Sequence, residues 1–323
     1  MKPVLAAIFA VVVWSSAFAG VSTVVAPSAH AYTPGEAALL RFLVASAATG
    51  AWALATRMRL PDRVDLPRLA MAALLGITTY HLAFNYGEST VSASAAALVI
   101  AAGPIFTALL AVAFLNERLN TWGWAGVLTA FAGVSAIAFG EGKGGFGFSP
   151  GVLIVAVAAM ATAAYFVVSK KPLRKYSALE FTFYAIWLGT IPMLVFAPGL
   201  VRHVQTAPAW ATWTVVYLGL FPGALAYTVW SYALQKMPAS TTASFLYGQP
   251  VLATLVAWAW QGVIPSAVTL IGGAIALSGV LLVNFKGRPG PVPAGEVASG
   301  EAAIETDIAA AVAPEEGASR LDL

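Results

Sequence analysis

The 323-residue chain contains no cysteine, so disulfides and thiolate metal sites are excluded. Charge is scarce as well: 10% of residues are Asp, Glu, Lys or Arg, against roughly 25% in a soluble domain. Too few charges remain to cover a surface that meets water on all sides. Acids are missing from the middle of every apolar run, and Glu36, Glu88, Glu117 and Glu180 all fall near run ends. A relay of buried carboxylates is therefore unsupported. No GxxxxGK[ST] loop, no HExxH and no GxSxG with a triad occurs, which removes the residues needed for ATP hydrolysis, zinc peptidase or serine hydrolase chemistry. The glycines of Gly140–Gly147 lie between apolar runs and are too little to mark a phosphate loop. An enzyme is not expected, and neither a cofactor, a metal nor a nucleic-acid partner is indicated.

What the chain does have is apolar length. Hydrophobic residues make up 59% of it, and its mean hydropathy is +0.81. Runs of about 20 apolar residues recur, each able to cross a bilayer core of roughly 30 Å. The pattern predicts an all-α integral membrane protein with ten transmembrane helices. The first five are Val4–Val24, Gly35–Thr56, Leu66–Gly87, Ser92–Leu115 and Trp122–Phe139. The second five are Gly151–Ser169, Leu179–Ala197, Trp210–Leu234, Ala239–Gln261 and Val268–Phe285. Short connections hold turn formers or charge, such as residues 57–62, Gly140–Ser149, Lys170-Lys171-Pro172 and Arg202-His203. Lys2, the first apolar run and Ala29-His30-Ala31 resemble a cleavable signal peptide, but the run exceeds the usual h-region of about 7–15 residues. The first helix is read as retained.

Lysine and arginine set the orientation. With the N-terminus inside, cytoplasmic segments hold 13 of them and outside loops only Lys143 and Arg202. Both ends are then cytoplasmic in a bacterial inner membrane. Residues 287–323, rich in Ala, Gly, Pro and Glu, read as a disordered cytoplasmic tail.

The chain also looks duplicated. Ala93–Val134 and Ala239–Val280, offset by 146 residues, share 11 identities in 42 positions, including Pro104/Pro250, Gly126/Gly272 and Gly133/Gly279. The halves are residues 4–140 and 150–285. Five helices per half is an odd number, so the second half enters from the opposite side, giving two inverted five-helix repeats.

An ionisable residue inside a bilayer is a functional candidate by default. Arg41 and His81 both lie roughly 9 Å below the outer edge at 1.5 Å per residue. His81, Asn85 and Glu88 share one helix face at i, i+4 and i+7. Arg41 also suits a structural charge, paired with Glu36 or Glu88. His81 suits substrate binding, proton coupling or an ordinary helix-to-helix hydrogen bond. Pro104 and Pro250 read as mid-helix kinks that free the carbonyls of Ile100 and Leu246, and serve as candidate hinges. Tyr247-Gly248-Gln249-Pro250 reads as a cavity-lining kink. Trp14, Tyr80, Tyr165 and Tyr227 lie too deep for the interfacial belt, which accounts for Trp122, Trp124, Trp210 and Trp213. Tyr184, Trp187 and Trp230 are further deep aromatics. His81/Tyr227 and Phe84/Trp230 are equivalent under the offset. The candidate substrate-binding set is Trp14, Tyr80, His81, Asn85, Tyr165, Tyr227, Trp230, Tyr247 and Gln249.

Trp14-Ser15-Ser16-Ala17-Phe18, Arg41-Phe42 and the run Ala95–Arg118, closing on Asn116-Glu117-Arg118-Leu119, resemble the EamA family of the drug/metabolite transporter superfamily. The resemblance covers residues 4–285. Gly262-Val263-Ile264-Pro265 departs from it where the family usually repeats the glutamate, so the ion pairing read at Glu117 and Arg118 is not duplicated. The resemblance implies a secondary transporter exporting small metabolites, commonly amino acids, through a central cavity by alternating access. Tyr80-His81 is similar to what the family's aromatic amino-acid exporters place in their cavities. The expected partners are a small-molecule substrate and the lipid bilayer. Two other readings remain: a transporter of another metabolite or drug, and a membrane scaffold or sensor without transport.

Overall fold

The computed structural model describes residues 2–29, 31–114, 119–141, 149–169, 171–236 and 245–287. Glu117, Arg118 and the tail beyond Gly287 lie outside these, as does the side chain of Tyr247. Among the described residues all regular structure is helical. Six helical stretches among the described residues are long and apolar enough to cross a membrane: Pro3–Val25, Pro34–Ala55, Ala93–Leu110, Thr121–Gly140, Ala178–Thr206 and Ala209–Trp230. Pro150–Tyr165 and Ala267–Val283 are shorter apolar helices.

Local chemistry marks the starts. Helix α1 (Pro3–Val25) opens with proline in its first turn, where the missing N–H has no helical partner to lose. Helix α2 (Pro34–Ala55) opens on a capping box in which the Thr33 hydroxyl and the Glu36 carboxylate each accept the other residue's backbone N–H. Residues 66–88 form one rod, α3 (Leu66–Ala73) passing through a π turn at Leu74–Thr79 into α4 (Tyr80–Glu88). Ser92 caps α5 (Ala93–Ala101), and α6 (Gly103–Phe114) follows after a single residue. Asn120 caps α7 (Thr121–Gly140), which leads to α8 (Pro150–Ser169).

A second capping box, Ser177 with Glu180, starts α9 (Ala178–Met193). A 3₁₀ turn at Leu194–Phe196 carries the chain into α10 (Ala197–Thr206). Arg202 and His203, expected in a connecting loop, are therefore helical: the apolar rod runs nine residues past its expected end at Ala197. Helix α11 (Ala209–Leu218) passes through a π turn at Gly219–Leu225 into α12 (Ala226–Lys236). A 3₁₀ turn at Phe245–Gly248 leads into α13 (Gln249–Gln261), and Ser266 caps α14 (Ala267–Lys286).

The two π turns fall at matching places: Leu74 and Thr79 map onto Leu220 and Leu225 under the 146-residue offset. The caps Asn120 and Ser266 match in the same way. Packing follows suit. The α3–α4 rod lies against α8, and α1 against α12; α5 and α6 lie against α8, and α13 against α1. Helix α2 meets the π turn of α11–α12, and α9 meets that of α3–α4. Helices α7 and α14 pack on each other antiparallel. Gly126 meets the Gly279 carbonyl and Gly279 that of Gly126, while Gly133 and Gly272 do the same. Lipid gives no hydrophobic reward for helix association, so small residues that let backbones approach carry such an interface.

Pro104 interrupts the single span Ala93–Leu110, with one non-helical residue, Ala102, before it. Pro104 and Pro250 each occupy the second position of a new helix, where proline is well tolerated. The break before Pro104 is closed by the Ala102 N–H donating to Val99 O at 3.1 Å and the Ile105 N–H to Ala102 O at 2.9 Å.

Candidate functional site

The deep residues named from sequence gather where the π-containing rods meet α1 and α2. Trp14 lies edge-on to Tyr227 at 5.1 Å between ring centroids and tilted over Trp230 at 5.2 Å. Its indole N–H donates to Pro222 O at 3.0 Å, inside the second π turn. That turn presents a carbonyl to a side chain instead of closing an α-helical bond, a use for which π turns are known. The first π turn does likewise at Ile77, whose carbonyl lies 3.0 Å from His81 Nδ1, and its Thr78 hydroxyl donates to Gly189 O of α9 at 2.8 Å. Because a carbonyl only accepts, Nδ1 carries the proton in that bond.

His81 is buried between rings, 4.4 Å from Phe42 and 4.6 Å from Tyr80, edge-to-face with both. Tyr80 also stacks on Phe84 at 5.8 Å, and Phe84 meets Phe18 of α1. Tyr165 of α8 lies flat on Gly76, where a β-carbon would strike its ring, and stacks on Phe181 at 5.8 Å. Tyr165 and Tyr80 each interact electrostatically with Tyr227. Gln249 is half-buried at the start of α13, its backbone carbonyl 3.4 Å from Ser15 Oγ. Gly103, the first residue of α6, and Gly248, just before α13, face open space.

Arg41 is 4% exposed and faces Tyr227, Tyr80 and Glu88 electrostatically, with its guanidinium 5.6 Å from the Phe42 ring. Of its two expected partners, Glu36 is already engaged, accepting the Thr33 N–H at 2.9 Å and lying 2.8 Å from His203 Nδ1. Glu88, 2% exposed, opposes Arg41 without a hydrogen bond or ion pair joining them. Asn85 is 1% exposed, and its amide donates to Pro34 O at 3.0 Å. Sequence spacing put His81, Asn85 and Glu88 on one face, but proximity to a run end made Glu88 look peripheral. Its burial comes from the neighbouring helices, which spacing does not reveal.

Tyr184 and Trp187, the other deep aromatics, serve packing: the Tyr184 hydroxyl donates to Arg59 O and the Trp187 indole to Thr49 Oγ1. Glu141, not singled out from sequence, accepts from Ser92 N, Ser92 Oγ and Thr269 Oγ1 at 2.8–3.0 Å. Trp122, Trp124, Trp210 and Trp213 are exposed, as an interfacial belt requires.

A second polar group sits where the segment between α2 and α3 meets the one between α8 and α9. A cleft of ≈ 250 Å³ there is lined by Asp65, Arg68, Lys171, Pro172, Arg174 and Lys175. Lys175 pairs with Asp62 and Asp65, and Arg59 with Glu180. Hydrogen bonds from Lys175 and Tyr176 hold the Asp65 carboxyl below its ordinary range, and Asp62 with Asp65 pushes the Lys175 ammonium up.

Comparison with known proteins gives a consistent picture. The model of the EamA-like transporter family matches the chain twice, over residues 1–139 and 149–285. The uncharacterized transporter YdfC of Bacillus subtilis is 38% identical over 273 residues, 84% of this chain and 88% of the relative. The "Probable terminal-alkyne amino-acid exporter" of Streptantibioticus cattleyicolor is 36% identical over 283 residues, 88% of this chain and 93% of the relative. A solved crystal structure with 22% sequence identity superposes with a TM-score of 0.57, covering 88% of this chain and 99% of its own. That likeness concerns the fold.

Proposed function

The chain belongs to the EamA-like transporter family, and from that premise we propose that it exports small metabolites, amino acids foremost, by alternating access between two inverted five-helix halves. It is a multi-pass membrane protein of transporter type; substrate, mechanism and orientation are our reading. The observation that carries this reading is the exchange of contacts under the 146-residue offset. The main packings of α1, α2, α8 and α9 on the other half have swapped counterparts, and α7 meets α14 through reciprocal glycine pairs. Such reciprocity is what a two-fold relation between inverted halves requires. The double match of one family model supports the same duplication.

Inverted repeats place their substrate at the interface between halves, near mid-membrane. Here that interface holds the Trp14–Tyr227–Trp230 cluster and the Tyr80–His81 face, which suits an aromatic or apolar side chain. The 36% identity to a protein named as an amino-acid exporter supports the substrate class. Rocking of the halves would open the site, with the helix breaks before Pro104 and Pro250 as bending points. The lysine and arginine count supports cytoplasmic termini in a bacterial inner membrane.

The test is flux of labelled aromatic and small neutral amino acids through proteoliposomes containing the full-length protein, with and without a pH gradient. Saturable flux of at least one amino acid is expected, reduced at least about tenfold by Trp14→Ala with Tyr227→Ala, as loss of two anchoring rings implies. No flux of any of them would overturn the amino-acid reading. Gradient-stimulated flux that becomes insensitive to the gradient in His81→Phe would assign proton coupling to that imidazole.

A further inference from the structure

Six Asp and Glu residues lie among the described residues, and five have partners. Glu36 is held by Thr33 and His203, Asp62 by Lys175, and Asp65 by Lys175 and Tyr176. Glu141 is held by Ser92 and Thr269, and Glu180 by Ser177 and Arg59. Glu88 is the exception. Both of its carboxyl oxygens are sealed from solvent and make no hydrogen bond among the described residues. Arg41 Nε is sealed and unpartnered in the same way, and so is Asn85 Oδ1. Arg41 and Glu88 nonetheless face one another electrostatically.

A structural ion pair would look different. Opposite charges taken out of water recover their lost hydration only by direct, well-aligned hydrogen bonds. Here both Glu88 oxygens, Arg41 Nε and Asn85 Oδ1 are withdrawn from water with no hydrogen-bond partner among the described residues. The hydroxyl-bearing rings of Tyr80 and Tyr227 share the electrostatic surroundings of Arg41.

We propose that Arg41 and Glu88 form a receptor for the zwitterionic end of a free α-amino acid. Arg41 takes the α-carboxylate, while Glu88 and Asn85 Oδ1 take the α-ammonium. The ligand's side chain then turns toward the Tyr80 and Tyr227 rings. Guanidinium is the group that grips a carboxylate by two parallel N–H donors. A carboxylate with a neighbouring amide oxygen offers three acceptors to an ammonium that has three donors. A molecule bearing an ammonium and a carboxylate on one carbon would complete all of the sealed groups at once. Peptides, acylated amino acids and amines would each leave one side unpaired. The inference rests on the amino-acid export reading and adds what is recognised, and by which atoms.

The experiment uses the full-length protein in proteoliposomes. For the best-transported neutral amino acid, inhibition of labelled flux is measured with the unlabelled amino acid, its N-acetyl derivative and its amide. Each blocked derivative is expected to inhibit at least about tenfold more weakly, the loss of a charge-assisted contact in a buried site. Glu88→Gln is expected to lose discrimination against the N-acetyl form alone, and Arg41→Gln against the amide alone. The wild-type comparison needs no variant to fold, and Arg41→Lys serves as a conservative second probe. Amino-acid flux inhibited equally by all three compounds would overturn the zwitterion site and leave the export reading standing. Folded variants with unchanged flux and unchanged discrimination would do the same. Absence of amino-acid flux in the wild-type protein would overturn both.

Discussion

Gly133 in α7 lies against the backbone of Ala276 in α14 so closely that the place of its missing β-carbon is already taken by the Ala276 nitrogen. The backbone cannot move aside as a flexible side chain would, so even one methyl group forces the helices apart. Gly133→Ala is expected to lower stability by about 1–3 kcal/mol, the range for overpacking a tight interface. Gly50, within α2, has nothing near its missing β-carbon. Gly50→Ala should therefore be neutral or stabilise by about 0.5–1 kcal/mol through reduced backbone entropy. Thermal unfolding of the purified protein distinguishes the two. Equal effects would remove the glycine contact as the feature holding α7 to α14.

Glu141 joins three helices at one end of the molecule, accepting from the N-cap residue of α5 and from Thr269 in the first turn of α14. Replacement by alanine leaves those donors without their acceptor. Glu141→Ala should cost about 1–3 kcal/mol, and Glu141→Gln, which keeps one carbonyl oxygen, distinctly less. Thermal unfolding of the two variants side by side checks the order. Indistinguishable variants would mean that the carboxylate's bonds to Ser92 and Thr269 add nothing.

Periodicity and composition made the helical membrane class legible, because lipid demands long apolar runs whatever the tertiary fold. The duplication was legible through Pro104/Pro250 and the glycine pairs. The π turns were not, since nothing in Leu74–Thr79 breaks the apolar pattern and a wider turn is chosen by what packs on it. The prolines Pro104 and Pro250 stand at the starts of helical segments, and at Pro104 the break falls within one span, as a proline that frees a carbonyl would place it. His81, Asn85 and Glu88 were found as a stripe. The isolation of Glu88 was hidden, for it depends on which helices pack around α4, and spacing along one helix does not reveal that.

The Asp65–Lys175 pair sets a dependence on acid. The folded-state pKa of Asp65 is lowered, chiefly by its bonds from Lys175 and Tyr176. Its contribution is therefore present above its unfolded pKa and is lost as pH falls through the folded value. Lys175 is shifted upward, chiefly by Asp62 and Asp65, so its contribution is lost only on the alkaline side, as pH rises toward the folded value. Thermal midpoints measured from pH 6 down to about 3 should fall less steeply in Asp65→Asn than in the wild-type protein. Parallel curves would show that the pair does not link folding to protons.

His81 offers the last test, because its ring can be asked to keep its shape and give up its proton. In the structure the imidazole closes a bond to Ile77 O at the π turn and wedges between Phe42 and Tyr80. Those contacts make it a positioning residue for Tyr80. His81→Phe preserves the edge-to-face packing and removes only the bond, so a stability loss of about 1 kcal/mol is expected. Flux should stay within about threefold of wild type, with the same response to a pH gradient. His81→Ala, which also removes the wedge, should reduce flux far more. The opposite pattern would locate the proton on His81: wild-type flux stimulated by the gradient, with His81→Phe insensitive to it. Tyr80 would then owe its placement to Phe84, on which it also stacks.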